Sequence, residues 1–191
     1  MGQNFKNKSF HSLITSIMNF RFHRVFSILV SLLITGSIVA CAQQSPSKTA
    51  EGKIGSANVS IHYSSPSVRN RTIWGELVPY GKIWRAGANA ATVFETDKDL
   101  KIEGKTLPAG KYSFFALPEK AKWTIIFNSQ TGQSGIKRDG EANLDRANDV
   151  VVVSVKPVSH PMTESLTYEI NPDGIALVWE KLAVPVKIVS P

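Results

Sequence analysis

The sequence predicts an all-β fold, an antiparallel β-sandwich or flattened barrel of about eight or nine strands. Three observations predict it. From residue 57 onward apolar residues recur with a period of two rather than three to four. Their runs are dominated by β-branched and aromatic side chains, which fit a pleated, half-buried surface. Clusters of Pro, Gly, Asn and Asp separate the runs, and no helix-length amphipathic stripe interrupts them.

The elements follow in order. Val59, Ile61 and Tyr63 alternate with Asn58, Ser60 and His62, which makes a first strand with one buried face. Thr92, Phe94 and Thr96 make a second, and Leu100 with Ile102 a short third. Leu107-Pro108-Ala109-Gly110 turns the chain into a strand over 112–117, and Pro118-Glu119-Lys120-Ala121 turns it again into 123–127. Residues 150–155 are a β-branched run broken only by Ser154, the pattern of a strand buried on both faces. Leu166, Tyr168 and Ile170 alternate with Thr167 and Glu169, and Asn171-Pro172-Asp173-Gly174 carries Pro and Gly where a turn needs them. Residues 166–180 therefore predict a hairpin, and 184–189 a last strand. Two stretches resist the strand reading. Residues 64–91 are rich in Pro, Gly and Trp, with a short helical turn expected at 74–80. Residues 129–148 read as a long loop with a brief helix at 141–147, and loops of that length are usually functional or mobile.

The front end reads as an export signal. Residues 25–40, VFSILVSLLITGSIVA, carry no charge and follow Arg21, His23 and Arg24. A charged segment, an apolar segment and a small-residue end are the parts of a secretory signal. The apolar run is shorter than the roughly 20 residues needed to span hydrocarbon. Met18 offers a second start, which leaves residues 1–17 as an extended leader or as sequence outside the translated chain. Ile38-Val39-Ala40-Cys41 resembles the lipobox of bacterial lipoproteins, and Cys41 is the chain's one cysteine. Residues 1–40 are thus expected to be a signal peptide. Residues 41–53 are expected to be a lipidated cysteine with a flexible polar tether, and residues 54–191 a single β-sandwich domain. Several acyl chains make such attachment effectively permanent. No Asp follows Cys41, which in lipoproteins of the enteric type points towards the outer membrane, so the expected place is the cell envelope, lipid-anchored.

Charge and composition exclude several classes. The chain of 191 residues has 22 Lys and Arg against 15 Asp and Glu, a net +7. Four of those cations lie in residues 1–40 with no acid, so the remainder holds 18 against 15, too near balance for a nucleic-acid partner. A single cysteine excludes a disulfide framework and any thiolate-rich zinc site. After the signal, His62 and His160 are the only histidines, and no calcium loop, phosphate loop or dinucleotide fingerprint is present. No cofactor or metal is expected. Gly132-Gln133-Ser134-Gly135 lacks the register of a hydrolase nucleophile elbow.

A longer pattern carries a resemblance. Tyr63-Ser64-Ser65-Pro66-Ser67-Val68 is followed by Leu77-Val78-Pro79-Tyr80-Gly81-Lys82-Ile83-Trp84-Arg85-Ala86-Gly87-Ala88-Asn89. With Leu107-Pro108-Ala109-Gly110-Lys111-Tyr112-Ser113, Trp123-Thr124-Ile125-Ile126-Phe127-Asn128 and Val178-Trp179-Glu180, these residues resemble domain-of-unknown-function family 2911. The resemblance runs from about residue 57 to 188. It implies an exported all-β domain and no activity, so no catalytic residues are carried over.

The block 69–89 holds the candidate site. Arg69, Arg71 and Arg85 stand among Trp74, Tyr80, Trp84 and Asn89, mixing guanidinium forks with aromatic faces. A planar fork suits carboxylates, phosphates or sugar hydroxyls, and an aromatic face suits apolar ligand faces. Two readings stay open. In one the block binds a small ligand or an envelope protein. In the other Trp74 and Trp84 plug one end of the sandwich while the arginines pair with Glu76 and Glu95. The rival from another class is an envelope hydrolase using His62 or His160 with a carboxylate and arginines, which requires those groups in one pocket.

Overall fold

The computed structural model describes residues 44–191, so the expected signal peptide at 1–40 and Cys41 lie outside the described residues. Ten strands follow one another with almost no helix. They are β1 (Ser47–Ile54), β2 (Ala57–Ser64), β3 (Thr92–Thr96), β4 (Leu100–Ile102) and β5 (Lys105–Leu107) in the first half. The second half holds β6 (Gly110–Leu117), β7 (Trp123–Asn128), β8 (Asp149–Val155), β9 (Val158–Asn171) and β10 (Gly174–Val189). All pairings are antiparallel. They make a six-stranded sheet in the order β1-β2-β3-β6-β7-β8 and a four-stranded sheet in the order β5-β4-β10-β9. The two sheets stay open rather than closing into a barrel, and their inner faces share one core.

Alternation explains the layers. In β2 the inward Val59, Ile61 and Tyr63 are buried while Asn58 and His62 face out. Phe94 of β3, Phe114 of β6 and Phe127 of β7 meet edge to face, with centroids 5.1 and 5.2 Å apart. Phe114 also meets Tyr168 of β9 at 5.9 Å, across the gap between the sheets. Each such pair adds about 0.5–1.5 kcal/mol beyond the area it buries.

Several expectations are corrected. The flexible tether expected over 41–53 gives way to strand from residue 47, because 47–54 form β1, paired residue for residue with β2. Its inward positions include the small Ala50 and Gly52, and Gly52 lies against Ile170, where a Cβ would meet Cγ2 at 2.8 Å. Strand β8 is not buried on both faces. It is the sheet's outer strand, where Val151, Val153 and Val155 are buried while Val150 and Ser154 are exposed. No helix forms at 74–80; Val78 N–H donates to Ile73 O at 2.9 Å and Gly75 N–H to Val78 O at 2.9 Å, which closes a tight turn. The helix expected at 141–147 shrinks to one 3-10 turn at Arg146–Asn148, capped by Asp145.

Strand β10 doubles back. A straight strand of its 16 residues would span about 50 Å. Instead Ile188 N–H donates to Asp173 O at 2.9 Å, which brings the two ends together. The corner is at Glu180, which has φ 56° and lies between two register shifts in the pairing with β9.

Candidate functional site

The segment 66–91 crosses one end of the sandwich, held at intervals by backbone hydrogen bonds. Val68 N–H donates to Glu164 O at 2.8 Å, and Leu166 N–H to Pro66 O at 2.9 Å. Farther on, Trp84 and Ala116 exchange two backbone bonds of 2.7 and 2.9 Å, which pins the indole at the margin of β6. Non-glycine residues at positive φ concentrate here, at Arg69, Asn70, Ala86 and Asn89. Each such residue costs about 1–3 kcal/mol, so its surroundings must hold it there. Ala86 shows how. Its buried carbonyl accepts from Thr92 Oγ1 at 3.0 Å and from Tyr168 Oη at 2.8 Å. Burial raises the Tyr168 phenol well above its ordinary pKa, so it stays a neutral donor.

All four tryptophans of the chain converge at this end. Trp74 meets Trp123, Trp179 and Trp84 edge to face at 5.0, 5.7 and 6.1 Å. Trp84 stacks on Trp179 at 6.0 Å with an interplanar angle of 21°. Trp84 Nε1–H donates to Gly87 O at 3.0 Å. The indole N–H groups of Trp74, Trp123 and Trp179 are buried without a hydrogen-bond partner among the described residues. A buried donor left unpaired costs about 1–3 kcal/mol, so three in one cluster are unusual.

Against this cluster lies a cavity of about 490 Å³. Its floor includes Val78, Trp84 and Trp179, with Leu77 and Ile136 at its mouth. Arg71, Lys82 and Arg85 supply positive charge to the wall, and Asp139 and Glu141 supply negative charge. Lys82 Nζ and Glu141 Oε1 pair at 2.9 Å, joining segment 66–91 to loop 129–148 and holding the Lys82 ammonium above its ordinary pKa. The arginines have no such partner among the described residues. Arg71 spends two donors on the carbonyls of Val68 and Ser67, at 3.1 and 2.6 Å. Arg85 Nε is buried and unpaired, and desolvation lowers the pKa of its guanidinium. Gly135 packs on the Arg85 stem so closely that a Cβ there would come within 2.7 Å of Arg85 Cβ.

A family model described as a protein of unknown function (DUF2911) matches residues 45–188. The chain belongs to this family. No curated protein and no solved structure matches the chain. The matched span of DUF2911 begins at Ser45 and therefore takes in β1 and every residue that lines the cavity.

Of the residues singled out in the DUF2911 block, Arg71, Trp84 and Arg85 line the cavity. Trp74 stands behind them in the aromatic cluster. Tyr80 is exposed, with its ring over Gly75. Arg69 is turned towards β9, its backbone N–H donating to Glu164 Oε1 at 2.9 Å. Asn89 serves the chain's entry, donating from Nδ2 to Ser45 O and to Ser64 Oγ, each at 3.2 Å. The expected pairing of arginines with Glu76 and Glu95 is not formed at Arg71 or Arg85; Glu95 pairs instead with Lys111 at 3.4 Å. Trp179, Lys82 and the loop residues Ile136, Asp139 and Glu141 join the cavity from outside the quoted candidates.

The histidines sit elsewhere. His62 Nδ1 shares a hydrogen bond with Thr49 Oγ1 at 2.8 Å across β1 and β2. His160 Nδ1 lies 2.8 Å from Pro161 O on β9. Neither lines the cavity with Arg85. Ser134 Oγ donates to Ile136 O at 2.6 Å within its own loop. Among the described residues no group of three His, Cys, Asp or Glu side chains is placed to hold a metal ion.

Proposed function

We propose that this DUF2911 protein is an exported, lipid-anchored envelope protein whose sandwich binds a small amphipathic anion without transforming it. One observation carries the binding reading: Arg71 and Arg85 line a cavity floored by indoles and lack a carboxylate partner among the described residues. A desolvated guanidinium without a counter-ion favours an anion brought by a ligand. The indole floor favours an apolar or aromatic body.

Calorimetric titration with phenylacetate, against its uncharged analogue phenylacetamide, tests the binding. Phenylacetate should bind more tightly. Arg85→Lys should weaken it by about tenfold while the melting temperature stays nearly constant, because lysine keeps the charge and loses the fork. Equal affinity of wild type and Arg85→Lys would remove Arg85 from the site.

The envelope reading is supported by the uncharged run 25–40 and by the lipobox-like residues before Cys41. Cys41→Ala should abolish metabolic palmitate labelling and membrane association and leave the domain folded. Label retained on the variant would overturn the lipoprotein reading.

A further inference from the structure

Of the seven large apolar side chains exposed among the described residues, Leu77, Tyr80 and Ile136 belong to the two segments that frame the cavity, while Val150, Val158, Met162 and Val189 lie on or beside strands elsewhere. Charge is the more unevenly placed property. Segment 66–91 carries Arg69, Arg71, Lys82 and Arg85 against Glu76 alone, while loop 129–148 has three cations and three acids. The two together hold a net +3, which is the entire excess of residues 41–191. The rest of the domain is neutral.

The chain enters the domain at the same place. Ser45 lines the cavity, its carbonyl accepts from Asn89 Nδ2, and Pro46 O accepts from Ser65 N–H at 2.8 Å. Cys41 precedes Ser45 by four residues, which can reach at most about 14 Å. An acyl group on Cys41 would therefore keep Ser45, at this end of the sandwich, within that chain length of the lipid headgroups.

We propose that the face rimmed by Leu77 and Ile136 lies on the anionic surface of the bilayer that anchors Cys41, so that the cavity opens towards the headgroups. The inference rests on the lipoprotein reading. Basic residues near a bilayer are attracted by anionic headgroups, and that attraction decays within a Debye length. Apolar side chains at the headgroup level, here Leu77 and Ile136, add the interfacial part. An anchor alone leaves the domain free to swivel, and the patch would fix its orientation.

The test uses mature lipidated protein added to preformed vesicles of phosphatidylcholine with phosphatidylglycerol. With Cys41 acylated, Leu77→Cys, Ile136→Cys or Pro172→Cys supplies one thiol for a nitrobenzoxadiazole label. Pro172 lies in the β9–β10 turn and serves as the reference. Labels at 77 and 136 should emit at shorter wavelength and be bleached by dithionite at least about fivefold more slowly than at 172. In pure phosphatidylcholine the difference should shrink. Equal bleaching at all three positions on acylated protein would overturn this inference alone, and protection unchanged in the neutral vesicles would overturn its electrostatic part. Absence of palmitate label on the wild type would overturn the lipoprotein reading together with it.

Discussion

Gly174→Val is expected to lower stability by more than about 4 kcal/mol, the range reached only when a substitution breaks something that cannot relax. A Cβ at Gly174 would lie 2.1 Å from Val186 O and 2.7 Å from Ile188 N. Both are backbone atoms of the returning arm of β10, so no rotamer change makes room. The strand's doubling back requires that approach, because the bond from Ile188 N–H to Asp173 O spans the same junction. The φ of 142° adds strain for any other residue. Turn sequence alone would assign the cost to β-branching, in which case Gly174→Ala would be mild. The close approach instead requires Gly174→Ala to show most of the loss. Denaturant midpoints of the two variants decide between them, and a mild alanine variant would show that the arms can separate cheaply.

Trp123→Ala is the second large effect, expected at about 3–5 kcal/mol for a buried large-to-small change. Trp123 is 0% exposed and lies against both Trp74 and Trp84. Removing it would leave a void beneath the cavity floor. Trp84→Ala should cost less than Trp123→Ala, because Trp84 is only partly buried and already borders open space. Chemical denaturation of both variants measures the order. A Trp84→Ala protein less stable than Trp123→Ala would show that the floor, rather than the layer beneath it, supports this end.

What could be read from sequence was the alternation that burial imposes. Strands β2 and β7 bury Val59, Ile61 and Tyr63, and Trp123, Ile125 and Phe127, at alternate positions, while β3 and β6 alternate around Phe94, Tyr112 and Phe114, so their place along the chain follows directly. Strand β1 escaped because its inward positions include Ala50 and Gly52, which give no hydrophobic signal. The first half of β9 escaped because Pro161 and polar neighbours read as loop, although an outer strand tolerates proline. In β8, five valines in seven residues look the same in sequence whether one face or two are covered. The cavity was legible only where one segment contributes several residues, at Arg71, Trp84 and Arg85. Trp179 and Glu141 come to it through long-range packing and the link to Lys82, which sequence spacing does not encode.

The gathering of all four tryptophans has an optical consequence. Most of the near-ultraviolet absorption of this protein and nearly all of its emission arise at one end, from indoles whose ring centres lie 5.0 to 6.4 Å apart. At such spacing the transitions couple, and excitation passes among the rings before any photon leaves. A steady-state spectrum is therefore a local measurement rather than an average over the molecule. If this end loosened before the strands separated, the near-ultraviolet circular dichroism would fade first, ahead of the far-ultraviolet signal of the sheets. Two melting curves recorded on one sample would then resolve the order in which the two regions yield.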